Sequence, residues 1–384
     1  MKTQNTSVDA FKANKERLYS LDLLRGLDIF FLTVFTGIAW AAHDGLGLFP
    51  VPPGTPDGYF GPVMEQLAHR WGLFHLIDIV MPMFIYMCGA AVPFALGRRL
   101  QDGKATPAFW KHLGARFALL WFCGMIAQGN LLSLNPAEIR IFDNTLQTIA
   151  CGYVIAALVM LIRRRWIRWT MPAVLALVYT IPLAICGDYT PKGNLAHQVE
   201  VWIVNTFCAP LGFSSRVSDY TWFATIPMFG VMTLMGMIST EILTAKDATG
   251  NAKAVRLGLL GAGVLALGWI TYPFIPSVKH IFTLTFTAQA MGWCMLSLAL
   301  LYYVTDVLRF RRGLGLFILF GQFALTAYML ADTPLAAITA KAAQTFGQGF
   351  EFWFGKGWSV FLVSVVQGVL VTLALVIRRR LKTR

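Results

Sequence analysis

Ten runs of about twenty apolar residues constrain this chain more than any other feature of its sequence. They span 21–42, 71–96, 113–132, 144–162, 169–186, 221–243, 257–276, 281–304, 314–332 and 358–377. A helix needs ~20 apolar residues to cross a bilayer, and lipid offers no partner to an open backbone N–H or C=O. Of the 384 residues, 57% are hydrophobic and 13% charged, against about 25% charged in a soluble domain. That balance excludes both a soluble globular protein and a disordered one. The expectation is an all-α, polytopic transmembrane helix bundle of about ten spans, with no soluble domain between them.

The basic residues sort by loop. Counting alternate connections, 24 of the 32 Lys and Arg fall on the side of the termini, seven on the other, and Arg25 within a span. The terminal-side set begins with Lys2, Lys12, Lys15 and Arg17, continues through the connection carrying Arg98, Arg99, Lys104, Lys111 and Arg116, and ends at Arg378–Arg380, Lys382 and Arg384. Lys and Arg mark the cytoplasmic side, so the expected topology is N-in and C-in. Residues 1–18 read as a cytoplasmic segment, 19–378 as the bundle and 379–384 as a basic tail. The net charge of +13 then needs no nucleic-acid partner, because the cations form no single patch.

Asp22, Arg25 and Asp28 interrupt the first run, which makes it an uncleaved helix rather than a secretory signal. The six cysteines (88, 123, 151, 186, 208 and 294) fall mostly inside spans and form no CxxC or Cys/His cluster. Neither a metal site nor a disulfide framework is expected, although Cys186 and Cys208 are placed where they could pair. The absence of a P-loop disfavours an ATP-driven pump. The segments 43–70, 187–220 and 333–357 are longer, rich in Gly, Pro and aromatics, and expected on the outer side. Their neighbourhood carries Trp202, Trp222, Phe352, Trp353 and Trp358. These read either as a stacking surface for a sugar or as the aromatic belt of a membrane interface.

Charges at membrane depth are expensive and need a partner or a task. Asp22, Arg25 and Asp28 stand three apart, so Arg25 is expected on one helix stripe between two carboxylates. That triad reads as a packing device or as an entrance site where Arg25 meets a phosphate. In the second run Asp78 lies about two turns inside, with His75 three residues earlier on the expected helix face and His69 near the outer surface. A histidine beside an aspartate is a pairing that orients a base; an interfacial histidine that is simply solvated is the alternative. Asp143, Asn144 and Gln147 form a further polar cluster, for interhelical hydrogen bonds or for a polar substrate. The tight turn between the seventh and eighth runs presents Lys279 and His280, with Thr283 and Thr285 below.

Five ordered blocks, from residue 17 to about 380, resemble the heparan-α-glucosaminide N-acetyltransferase family of transmembrane acyltransferases, including its bacterial branch. They are Arg17-Leu18-Tyr19-Ser20-Leu21-Asp22-Leu23-Leu24-Arg25-Gly26; His69 through Pro82; Leu146-Gln147 followed by Tyr153; Pro276 through Thr285; and Gly321 through Tyr328. The chain departs from the pattern where one residue rather than two separates His69 from Trp71, and where Phe282, Thr285 and Phe323 stand for Trp, Ser and Asn.

The resemblance implies an acetyl-CoA-dependent transferase in a bacterial inner (cytoplasmic) membrane. It would move acetyl from cytoplasmic acetyl-CoA, as co-substrate, to an amino sugar or glycan on the periplasmic side. His69 carries over as the base, or as a covalent carrier of the acetyl group, with His75 the alternative and Asp78 orienting. Asn144, Gln147, Lys279, Thr283 and Trp71 would hold the sugar or the oxyanion. Arg25, with Asp22 and Asp28 beside it, would stand at the CoA entrance, with the basic stretch 98–116 nearby. Expected partners are membrane lipids, the acceptor and a second copy in a homodimer; Gly258, Gly261 and Gly263 are compatible with the last and do not specify it. No metal is expected. A polysaccharide O-acyltransferase and a non-catalytic transporter of sugars or small acids remain alternatives, although the halves 1–190 and 191–384 show no transporter-like repeat.

Overall fold

Apolar helices dominate because every backbone polar group in lipid must be satisfied within its own segment. The computed structural model describes residues 18–52, 54–101, 104–218, 221–331, 333 and 336–383. Lys2, Lys12, Lys15, Arg17 and Arg384 of the topology count, and with them nearly all of the expected 1–18 segment, lie outside these. The chain is about 75% helical. In order, the α-helices are α1 (Tyr19–Phe30), α2 (Thr36–Leu46), α3 (Val80–Leu96), α4 (Pro107–Ala127), α5 (Thr145–Met160), α6 (Arg165–Cys186), α7 (Leu195–Ile203), α8 (Ile226–Thr244), α9 (Gly250–Thr271), α10 (Leu284–Tyr302), α11 (Gly315–Gln322), α12 (Ala324–Ala331), α13 (Ala336–Phe354) and α14 (Lys356–Thr383).

Seven helical stretches among the described residues are long and apolar enough to cross a membrane: Tyr19–Leu46, Leu76–Arg99, Arg165–Cys186, Phe223–Leu243, Gly250–Thr271, Leu284–Val307 and Lys356–Lys382. The chain is therefore a helical, membrane-embedded protein, with fewer full-length apolar helices than the ten expected runs. Three runs account for the difference. The one at 113–132 becomes α4, which is long enough but carries Lys111, His112 and Arg116 in its first half. The one at 144–162 becomes α5, an apolar helix of 16 residues. The one at 314–332 is divided at Phe323 into α11 and α12, of 8 residues each. Hydrogen bonding continues through that division, since Phe323 N–H donates to the Leu319 carbonyl at 3.2 Å and Ala327 N–H to that of Phe323 at 3.0 Å. Hydropathy alone cannot separate a short core helix from a span.

Most of the longer segment 333–357 is helical: α13 occupies it, and Gly355, at φ 82°, turns the chain into α14. The helix α14 continues into the basic end of the chain as far as Thr383.

The chain divides into two compact units. One comprises residues up to Leu21, Trp71–Phe74 and Met81–Phe310; the other comprises Asp22–Arg70, His75–Val80 and Arg311–Arg384. In the first, α8 is the central helix, with 89% of its apolar window buried. It packs against α5 and α6, while α9 pairs lengthwise with α10. Arg168 and Glu241 join α6 to α8 in a buried ion pair, Nη2 to Oε1 at 3.0 Å, and Trp169 Nε1–H donates to the second carboxylate oxygen at 2.9 Å. In the second, α1 crosses α11 at two glycines. A Cβ on Gly26 would stand 1.7 Å from the Phe317 carbonyl oxygen, and one on Gly321 would stand 2.0 Å from that of Asp22. Only glycine permits this backbone approach. On α1 the expected triad is incomplete. Asp22 and Asp28 are buried, but no ion pair joins Arg25 to Asp28, and Asp28 Oδ2 has no hydrogen-bond partner among the described residues.

Candidate active site

The second unit contains the pairing expected of a base and its orienting acid. The stretch before α3 is not one continuous helix. A 3₁₀ turn covers Met64–Leu67, the chain then extends through Ala68 and again at His75, and a second 3₁₀ turn, Leu76–Ile79, leads into α3. The extended backbone of His75 (φ −113°, ψ 166°) removes the helical spacing that would have stacked its ring over Asp78. The His75 side chain is buried, and its Nδ1 finds no hydrogen-bond partner among the described residues. It is the His75 backbone N–H that donates to Asp78 Oδ2, at 2.9 Å. The other oxygen, Oδ1, meets His69 Nδ1 at 2.8 Å.

Asp78 is fully buried, while the His69 side chain remains 45% exposed. A carboxylate only accepts, so Nδ1 carries the proton of this bond and Nε2 is the basic nitrogen. A buried carboxylate with both oxygens engaged is a rigid anchor, and it sets the ring plane of a histidine that is still open to its surroundings. The approach to this pair is held by Glu65, whose carboxylate accepts from Arg70 Nε and from the Phe60 backbone N–H. The Arg70 hydrogen bond is the main reason that the Glu65 carboxyl lies below its ordinary range.

The first unit holds Trp71, Asn144, Gln147, Lys279 and Thr283. Trp71 stacks on His280, ring centroids 5.1 Å apart at 20°, and its Nε1–H donates to the Tyr189 carbonyl at 3.0 Å. Lys279, beside His280, is buried. The turn that carries it is tied by Thr283, whose Oγ1 donates to the Pro276 carbonyl at 2.8 Å and accepts the Val278 N–H at 3.1 Å and the Phe286 N–H at 3.4 Å. Thr283 thus caps α10 and builds the turn. Phe282, at φ 46° and fully buried, sits in the left-handed region within it. A non-glycine there costs about 1–2 kcal/mol, held here by edge-to-face packing on Phe229 at 4.8 Å.

Asn144 and Gln147 come together at the start of α5. Asn144 Oδ1 caps the helix by accepting Leu146 N–H at 2.8 Å, and its Nδ2 donates to Gln128 Oε1 at 2.7 Å. Gln147 Oε1 accepts Asp143 N–H at 2.8 Å, and its Nε2 donates to the Ile141 carbonyl. Asp143 in turn pairs with Arg140 and accepts from the Ser218 hydroxyl. Both amides thus make hydrogen bonds that organise the start of α5, and Asn144 also ties it to the end of α4.

Gln128, Ser218 and Tyr189 were not singled out from the sequence, because each acts on a residue 16 to 118 positions away. Arg116 enters the sequence reading as a topology charge and as one end of the basic stretch 98–116, although its spacing of four from His112 on one helix could have flagged it individually. Cys186 and Cys208 are free thiols. No protein-family model matches this chain, and no curated protein matches it either.

Proposed function

We propose that this protein is a transmembrane acetyltransferase, moving acetyl from acetyl-CoA to the amine of an amino sugar or glycan across a bacterial inner membrane, with ten spans and both termini inside. The observation that carries this reading is the His69–Asp78 pair: an exposed imidazole held at 2.8 Å by a fully buried carboxylate whose second oxygen is itself engaged. Such a histidine is positioned to serve as a general base. Its Nε2 takes a proton from the attacking amine as nitrogen bonds to the acetyl carbonyl carbon. The carbon–sulfur bond then breaks, CoA leaves as thiolate, and the imidazolium returns the proton to sulfur. Within the first unit by itself, Trp71 and His280 offer aromatic faces of the kind that bind a sugar ring. The resemblance of five ordered sequence blocks supports the same chemistry. Of the α1 residues, Arg25 alone has the charge that CoA phosphates require.

The test uses the full chain in nanodiscs with acetyl-labelled acetyl-CoA and glucosamine. Label is expected on glucosamine, with the rate falling by roughly 10²–10⁴-fold in His69→Ala and much less in His75→Ala. Label on a hydroxyl acceptor instead would favour the O-acyltransferase. No label on any acceptor, with radiolabelled sugar entering proteoliposomes without acetyl-CoA, would overturn the enzyme in favour of a transporter.

A further inference from the structure

Within the first unit, one group of cations stands without any anion among the described residues. Arg99 closes the 3₁₀ turn after α3, His112 and Arg116 stand one turn apart on α4, and Tyr153 faces them from α5. The Arg116 guanidinium lies 4.8 Å from the Tyr153 ring centroid, and its Nη2 reaches Cys88 Sγ at 3.9 Å. Among the described residues its buried Nε has no hydrogen-bond partner, nor do His112 Nε2 and the hydroxyl of the fully buried Tyr153. Arg99 donates to the Ala95 carbonyl, and its charge and that of Arg116 both act on His112. Asp102, the acidic residue nearest in sequence, lies outside the described residues.

This arrangement is anomalous for a structural feature. Arg116 is half-buried, but a guanidinium with a buried Nε–H ordinarily acquires an acceptor, as Arg168 acquires Glu241, because a buried donor left unmet is costly. The Tyr153 face supplies only part of that compensation. The unmet groups can all donate: a guanidinium Nε–H, a phenol O–H and an imidazole N–H, with a second guanidinium beside them. They are satisfied together by one acceptor with several oxygens and more than one negative charge. A carboxylate offers two coplanar oxygens and a single charge. A phosphoryl group offers oxygens in tetrahedral directions, matching donors that arrive from three helices. The neighbouring Arg98, Lys104 and Lys111 are exposed and would draw anions toward the site.

We propose that Arg99, His112, Arg116 and Tyr153 form a phosphate-binding site, which takes a phosphoryl group from a soluble ligand or from a phospholipid headgroup. Arg99, His112 and Arg116 belong to the basic stretch expected near the CoA entrance, so a soluble ligand here would rest on the proposed function, but the residues are not those of the His69–Asp78 pair and the test measures binding alone.

The experiment uses the full chain in dodecyl maltoside, which contains no phosphorus. One arm titrates inorganic pyrophosphate and follows the melting temperature; the other adds phosphatidylglycerol and counts retained lipids by native mass spectrometry. Wild type is expected to bind at least one of them about tenfold or more tightly than Arg116→Gln, with Lys192→Gln, at an exposed lysine given no part in the site, matching wild type. A pyrophosphate response identifies a soluble source, and retention of phosphatidylglycerol alone identifies a headgroup. Tyr153→Phe, which removes one hydroxyl and no charge, weakens the same arm and decides the matter should Arg116→Gln fail to fold. Binding in both arms that is equal in wild type, Arg116→Gln and Tyr153→Phe, or lost equally in Lys192→Gln, overturns the site. So does an absence of binding in both arms.

Discussion

Glu200 shows at residue scale how burial becomes a dependence on pH. It is 1% exposed, lies on α7 outside every candidate span, and accepts the Phe223 N–H at 2.7 Å. Burial pushes its carboxyl up from 4.5 to about 7, against the opposing effect of that backbone hydrogen bond. Between these values the folded chain keeps a proton that the unfolded chain has released. Stability is therefore fully present below pH 4.5 and is lost as pH rises through 7, by about 3 kcal/mol. Melting temperatures measured from pH 5 to 8 are expected to fall in wild type and to stay level in Glu200→Gln. The same scale separates what was legible at the candidate site from what was not. His69 and Asp78 stand out as costly polar residues beside apolar runs. Their pairing does not, because a helix drawn through 71–96 puts His75 over Asp78. The extended backbone at His75 instead brings in His69, nine residues away.

At the scale of elements, close helix crossings and buried ion pairs do the joining, and each can be tested. Gly321→Ala would place its Cβ 2.0 Å from the Asp22 carbonyl oxygen. It is expected to part α1 from α11 and to destabilise by about 1–3 kcal/mol or more, read as a lowered melting temperature in detergent. Gly37→Ala, on α2 with nothing within 4 Å of the new Cβ, is the matched control. It should be neutral or stabilise by up to about 1 kcal/mol. Between α6 and α8, Glu241→Ala strands a buried Arg168 and leaves the Trp169 N–H unmet. A loss of about 3–5 kcal/mol is expected. Glu241→Gln, which keeps an acceptor but loses the charge, should recover only part of it.

At the scale of the whole molecule, the 24-to-seven division of Lys and Arg bears on orientation, because basic loops stay cytoplasmic. In a Cys186→Ala background, a membrane-impermeant maleimide applied to intact cells is expected to label Lys192→Cys and to leave Lys104→Cys unlabelled. The reverse pattern would invert the proposed topology. Apolar surface points the same way as composition. α9 and α14 expose Leu259, Ile270, Leu373 and Ile377, a pattern costly in water and ordinary against lipid.

Membrane character and the presence of a helix in each apolar run were decided by the sequence itself. Each depends on hydropathy or charge summed along a local stretch, and lipid acts on that sum directly. The tertiary structure decided which runs are long enough to span, that 336–354 is a helix, and which polar groups meet. Arg168 finds Glu241 73 residues away, Trp71 finds Tyr189 118 away, and Arg116 finds the ring of Tyr153 and the Cys88 sulfur. Those meetings depend on how helices distant in sequence approach one another, and side-chain packing governs that approach where local periodicity carries no trace of it.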